Sequence, residues 1–90
     1  MSTLFFVTAT WCGHCLSIKN EKVIEKCRYA LRGADIGVVE VDVDEQPKTA
    51  EVLGVKAYPS IILLKNNGDK LFYEGARKSS DITAWVCNNT

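Results

Sequence analysis

Cys12 and Cys15 are the residues of this 90-residue chain whose type and spacing could do chemistry. They enclose Gly13 and His14 in the segment Trp11-Cys12-Gly13-His14-Cys15, which follows an apolar run, Leu4-Phe5-Phe6-Val7. A helical pattern opens at the second cysteine, so the first sits at a helix N-terminus. Unpaired backbone N–H groups and the positive end of the helix dipole favour a negative charge there. A thiolate is such a charge, and it is the reactive form of cysteine. Cys15 lies one helical turn behind, placed to resolve a mixed disulfide formed at Cys12. Thiol–disulfide exchange is the leading chemistry. His14, partly protonated at neutral pH, stabilises the Cys12 thiolate, and stabilising the reduced form makes the disulfide a stronger oxidant. Trp11 is placed to pack beside the pair and shape a binding surface.

Composition excludes several other classes. The chain carries 11 basic and 11 acidic residues, so a general nucleic-acid binder is not expected. Lys19, Lys22, Lys26, Arg28 and Arg32 cluster in one stretch, and Asp35, Glu40, Asp42, Asp44, Glu45 and Glu51 in the next, which reads as two solvated faces. No run is long enough to span a membrane. The opening Met1-Ser2-Thr3 has no basic start or cleavage site, and a cytoplasmic protein is expected. Thiols are kept reduced there, so a C-x-x-C pair reads as catalytic or metal-binding rather than structural. Zinc needs about four ligands and the pair supplies two, so neither a metal nor another cofactor is expected. A non-catalytic metal-binding or scaffold module is the remote alternative. Cys27 falls on an apolar stripe and reads as a small core residue. Cys87 lies near the end, off the best apolar face, as a buried or fraying thiol.

The elements that must position the pair can be read in order. Leu4 to Thr8 is a buried strand. Leu16, Val23, Ile24, Cys27, Ala30 and Leu31 follow helical steps and predict one long helix, stopped near Gly33. Ile36 to Val43 is a second strand, with Val39, Val41 and Val43 alternating with acids. Pro47 opens a short helix that Gly54 ends. Ser60 to Lys65 and Lys70 to Glu74 form a hairpin about Asn66-Asn67-Gly68-Asp69. Ser79 or Ser80 caps a last helix, Asp81 to Cys87. The order is β-α-β-α-β-β-α in a single α/β domain spanning 1–90, and a monomer is expected.

This order and this motif together resemble the thioredoxin fold in a minimal version, a four-stranded mixed sheet flanked by helices, over nearly the whole chain. Trp11-Cys12-Gly13-His14-Cys15 is similar to the motif of catalytic protein disulfide isomerase domains. Val55-Lys56-Ala57-Tyr58-Pro59-Ser60 resembles the loop that carries the family's cis-proline. The resemblance implies an oxidoreductase acting on protein disulfides, with Cys12 as nucleophile and Cys15 as resolving thiol. It implies that Pro59 is cis and that Tyr58 offers backbone groups to an extended substrate peptide. Arg77 resembles a loop arginine that lowers the pKa of the second cysteine, although by itself it reads equally well as a surface residue. A thioredoxin reductase or glutathione would supply electrons. Two positions depart from the family pattern: Phe6 stands where a buried acid accepts the second thiol's proton, and Leu16 replaces a lysine. The short length raises a glutathione-linked, glutaredoxin-like alternative, but Gly75-Ala76-Arg77-Lys78 is not the usual Gly-Gly-x-Asp signature.

Overall fold

Two largely buried strands take the middle of the sheet. In the computed structural model, which describes residues 1–90, β1 (Ser2–Thr8) pairs parallel with β2 (Ile36–Asp42) and antiparallel with β3 (Ser60–Leu64). The hairpin strand β4 (Lys70–Phe72) completes the order β2-β1-β3-β4. Parallel neighbours need a crossover, which here is helical. It consists of two helices, α1 (Gly13–Asn20) and α2 (Val23–Ala30). The short α3 (Pro47–Leu53) and the terminal α4 (Ser79–Asn88) complete the chain.

The single long helix expected from the periodicity is thus divided, and the reason is electrostatic. α1 buries Cys15 and Ile18. The positions three and four beyond Ile18 are Glu21 and Lys22, so an unbroken helix would drive two charges into the core. The chain instead turns at these residues, with Lys22 in the left-handed region (φ 55), and restarts with Val23, Ile24 and Cys27 facing inward. The same change of phase corrects the expected stripe: Leu16 and Ala30 are exposed, and Cys15 and Ile18 take the inner face.

The two sides of the sheet are unequal. Leu4 and Phe6 of β1, with Ile61 and Leu63 of β3, face α1, α2 and α4 in a core of 11 buried residues. Phe5 and Val7 point the other way, where α3 covers a smaller core of Val7, Val41, Ala50, Leu53 and Ile62. Gly54 ends α3 with φ 77, and Gly68 carries the hairpin turn with φ 93, conformations that favour glycine. β2 is an edge strand, so Val39, expected on a buried face, is 39% exposed. α4 starts two residues earlier than expected: Lys78 is its N-cap, without a side-chain cap, and both serines lie inside the helix.

Candidate active site

The chain leaves β1 at Thr8 and turns through Ala9–Trp11 into α1. The Cys12 N–H donates to the Ala9 carbonyl at 3.2 Å, and the Thr10 hydroxyl donates to Asp44 at 3.0 Å, fixing this turn against the end of β2. Cys12 is the N-cap of α1, with extended backbone (φ −97, ψ 121), and its carbonyl accepts the first helical hydrogen bond, from Leu16. Its thiol is half-buried and lies 3.5 Å from the Tyr58 carbonyl, to which it donates. Three groups in the first turn favour the Cys12 thiolate. The Cys15 thiol donates to it, and the backbone N–H groups of Cys15 and His14 point at it; the Arg77 charge adds to these. Together they outweigh partial desolvation and hold the Cys12 pKa below the usual thiol value of 9.0.

Cys15 is in the opposite condition. It is 1% exposed, and the Ala9 N–H reaches its sulfur at 3.5 Å. Burial, with the demand of a neighbouring thiolate for its proton, pushes its pKa up to about 11. The positive charge that bears on it belongs to Lys19, one turn along α1 and paired with Glu40 at 3.8 Å. The resemblance implied that Arg77 would act on the second cysteine; its charge here bears on the first. His14 likewise meets Cys12 through its backbone N–H, while its imidazole is exposed.

The Tyr58–Pro59 peptide is cis and faces the motif. Tyr58 meets the exposed Trp11 edge to face, with ring centroids 5.5 Å apart and planes at 83°. Trp11, Cys12 and Tyr58 therefore form one continuous surface. Beside it lies a concave region of about 520 Å³ lined by Lys56, Ala57, Pro59, Ser60, Phe72 and Glu74.

The thioredoxin family profile matches residues 2–88. This chain belongs to the thioredoxin family. It is 33% identical over 85 residues to a protein disulfide-isomerase of Gallus gallus, covering 91% of this chain and 16% of that protein. It is 41% identical over 63 residues to a thioredoxin of Malassezia sympodialis, covering 70% of this chain and 57% of that one. The solved first thioredoxin domain of mouse protein disulfide-isomerase A4 superimposes with a TM-score of 0.80 at 32% identity, over 97% of this chain and 61% of that one. The thioredoxin-family chain thus spans a small part of the isomerases it matches.

The other cysteines stand apart from this site. Cys27 is buried between α2 and α4, 3.9 Å from the Ser79 carbonyl and the Thr83 hydroxyl, and burial raises its pKa. Cys87 is exposed on α4. No cluster of three or more His, Cys, Asp or Glu side chains is arranged to hold a metal, and no helix is long and apolar enough to cross a membrane. Sequence reasoning missed the Ala9 N–H and Lys19. Lys19 had a signal, its i,i+4 spacing from Cys15; the Ala9 contact depends on how closely α1 approaches β1.

Proposed function

We propose that the chain is a thiol–disulfide oxidoreductase acting on protein disulfides. The observation that carries this reading is the opposite displacement of two thiols one helical turn apart, Cys12 lowered at the N-cap and Cys15 raised to about 11 by burial. In the reducing direction, the Cys12 thiolate attacks one sulfur of a substrate disulfide. A Cys12–substrate mixed disulfide forms, and the other substrate sulfur leaves as a thiolate and takes a proton. Cys15 then loses its proton and attacks the Cys12 sulfur. The Cys12–Cys15 disulfide forms, the second substrate thiol leaves, and two electrons have passed to the substrate. Run backwards, the same steps introduce a disulfide.

Each site residue has a role in this reading. The Cys15 thiol, the first-turn N–H groups of α1 and the Arg77 charge favour the Cys12 thiolate. The His14 imidazole adds positive charge when protonated and shifts the balance toward oxidation or isomerisation. Trp11, Tyr58 and Pro59 form the surface on which an extended peptide lies, with Tyr58 offering backbone groups to it. In a cytosolic setting the chain acts as a monomer, and a thioredoxin reductase or glutathione returns it to the dithiol.

Equilibration in glutathione buffers, with the Cys12–Cys15 disulfide quantified by mass, tests the reading. The expected potential lies between about −270 mV, typical of thioredoxin, and about −180 mV, typical of protein disulfide isomerase. A value at the upper end identifies a disulfide donor or isomerase, and one at the lower end a reductase. A pair that forms no disulfide anywhere in that range overturns the proposal. The companion variant Cys15→Ser is expected to accumulate a covalent complex with a disulfide-containing protein such as insulin, which Cys12→Ser does not form.

A further inference from the structure

The resolving step needs a thiolate at Cys15, and Cys15 is almost entirely shut away from water. Few charges are placed to favour that thiolate. On α1, Cys12 lies in front of it, the His14 imidazole is exposed, and Lys19 stands one turn behind. On β1, Phe6 and Thr8 are buried and uncharged, the Thr8 hydroxyl without a partner. α2 brings Cys27, itself buried with a raised pKa. The Arg77 charge, between β4 and α4, bears on Cys12, and that of Asp81 on α4 bears on Tyr73. On β2, parallel register sets Glu40 beside Phe6 and Asp42 beside Thr8, on the sheet face that α1 covers. Asp42 accepts the N–H of Asp44, whereas Glu40 reaches α1.

Lys19 and Glu40 form the only ion pair between two side chains in a chain with 11 basic and 11 acidic residues. The ammonium lies 3.8 Å from the carboxylate, and the side chains are 41% and 40% exposed. So exposed a pair contributes little to stability, and a lysine in the last turn of a helix ordinarily extends into water. This one is drawn back towards the sheet. Its position decides what the charge can act on. Residues four apart on a helix are neighbours, with β-carbons about 6 Å apart, and Lys19 is four beyond Cys15. Helical side chains lean towards the helix N-terminus, so the lysine stem lies over the turn that Cys15 begins. Glu40 stands across from that turn on β2 and holds the ammonium against it.

We infer that Lys19 stabilises the Cys15 thiolate by its charge during the resolving step, and that Glu40 is the positioning residue that keeps the ammonium over that turn. A Coulomb interaction spans one turn of helix without a hydrogen bond to the sulfur. Lys19, and not Glu40, is among the groups that bear most on Cys15, and it works against the rise caused by burial. When Cys15 reacts, its proton leaves to water and its sulfur bonds to that of Cys12. The substrate sulfur departs with the electron pair of the mixed disulfide and takes up a proton. Lys19 stays protonated throughout. The inference rests on the exchange chemistry proposed above and names two residues that serve its second half.

Stopped-flow kinetics of the reduced full chain in a Cys87→Ser background tests it, with one equivalent of dithiodipyridine, an uncharged disulfide. Cys12 releases the first coloured thiol and Cys15 the second, so attack and resolution are read as separate phases. Below pH 9 Lys19 keeps its charge. Lys19→Met keeps the stem and removes that charge. It is expected to cost about threefold in Cys15 thiolate, part of which the higher nucleophilicity returns, leaving resolution about twofold slower and the first phase unchanged. Lys19→Arg is expected to resolve at the wild-type rate. Glu40→Gln is expected to slow resolution as Lys19→Met does, and the double variant no further, because both remove one interaction. The differences are expected to shrink in concentrated salt. Both residues are exposed, so the variants keep the fold. A second phase unchanged in Lys19→Met overturns the inference. A Glu40→Gln effect that is absent, reversed or additive with Lys19→Met overturns the positioning role. A wild-type chain that shows no second phase defeats the exchange reading itself, which is a different result from either.

Discussion

α1 and α2 are neighbours of equal length, eight residues each, and both bury a cysteine, yet they put that residue type to opposite uses. α1 buries only Cys15 and Ile18, exposes Leu16, and presents its first turn to Cys12. α2 buries Val23, Ile24 and Cys27 and exposes mainly charge. The thiol at the start of α1 has N–H groups aimed at it and an accessible surface in front of it. The thiol in the middle of α2 has no free N–H groups within reach, since a helix interior spends them on its own carbonyls. Position on the helix, rather than residue type, separates a reactive cysteine from a core-filling one. The turn at Glu21–Lys22 makes the separation possible, because it lets the α1 N-terminus be aimed at the cis-proline loop while α2 is packed for the core.

The largest expected consequence is in alkylation. In a reduced Cys87→Ser background at neutral pH, iodoacetamide is expected to modify Cys12 at least ~10³ times faster than Cys27. Cys12 carries the lowered pKa and partial access, whereas Cys27 is 0% exposed and must wait for α2 and α4 to open. Peptide mass spectrometry over time gives both rates. Comparable rates would break the contrast, since they would mean that the α2–α4 seam opens as readily as the active site.

Much of this architecture was legible in the residues. Leu4–Val7 is apolar on both faces, as a central strand must be, and Pro47, Gly54 and Gly68 mark where α3 begins, where it ends and where the hairpin turns. The motif announced its own chemistry. The division of α1 from α2 did not show in a count of apolar positions, because Leu16 and Ala30 fit a helical stripe as well as Cys15 and Ile18 do. It becomes readable only when the charges at 21 and 22 are projected onto the inner face. The Ala9 contact, the unpaired Thr8 hydroxyl and the exposed face of β2 were out of reach for a different reason. Each depends on which strands become neighbours and how closely α1 approaches β1, and no local spacing records that.

A middle-sized effect follows from linkage, and it sharpens the contrast within α1. Cys15 is raised from 9.0 in the unfolded chain to about 11 in the fold. Above pH 9 the unfolded chain gives up this proton while the folded one keeps it, so folding stability falls as pH rises, until the folded thiol titrates as well. The contribution is therefore complete below pH 9 and lost by about pH 11, worth about 2–3 kcal/mol. Cys12 has the opposite sign: its lowered pKa contributes above 9.0 and is lost as pH falls through its folded value. The oxidised chain has neither thiol but keeps Cys27 and Tyr73, whose pKa values are also raised by burial. Urea denaturation of both redox forms at pH 8.5 and 11 isolates the pair. The reduced form is expected to lose about 1–2 kcal/mol more than the oxidised one, because the Cys12 contribution, still growing as pH passes 9.0, offsets part of the Cys15 loss. Equal losses would show that the two thiols of α1 do not differ as their surroundings require.

The smallest effect concerns the joint between the two helices. Lys22 holds φ 55, a conformation that costs a residue with a β-carbon about 1 kcal/mol relative to glycine. Its backbone N–H closes the end of α1 on the Lys19 carbonyl at 3.1 Å, the pattern in which glycine is the common choice. Lys22→Gly is therefore expected to stabilise the chain by about 0.5–1 kcal/mol in urea, with the potential of the Cys12–Cys15 pair unchanged. The Lys22 side chain is exposed, so little packing is lost with it. A loss of stability would mean that the joint is held by the lysine side chain rather than by its backbone. A shifted potential would carry further, because it would show that the phase of α2 is felt at the N-terminus of α1, and that the division of labour between the two helices is incomplete.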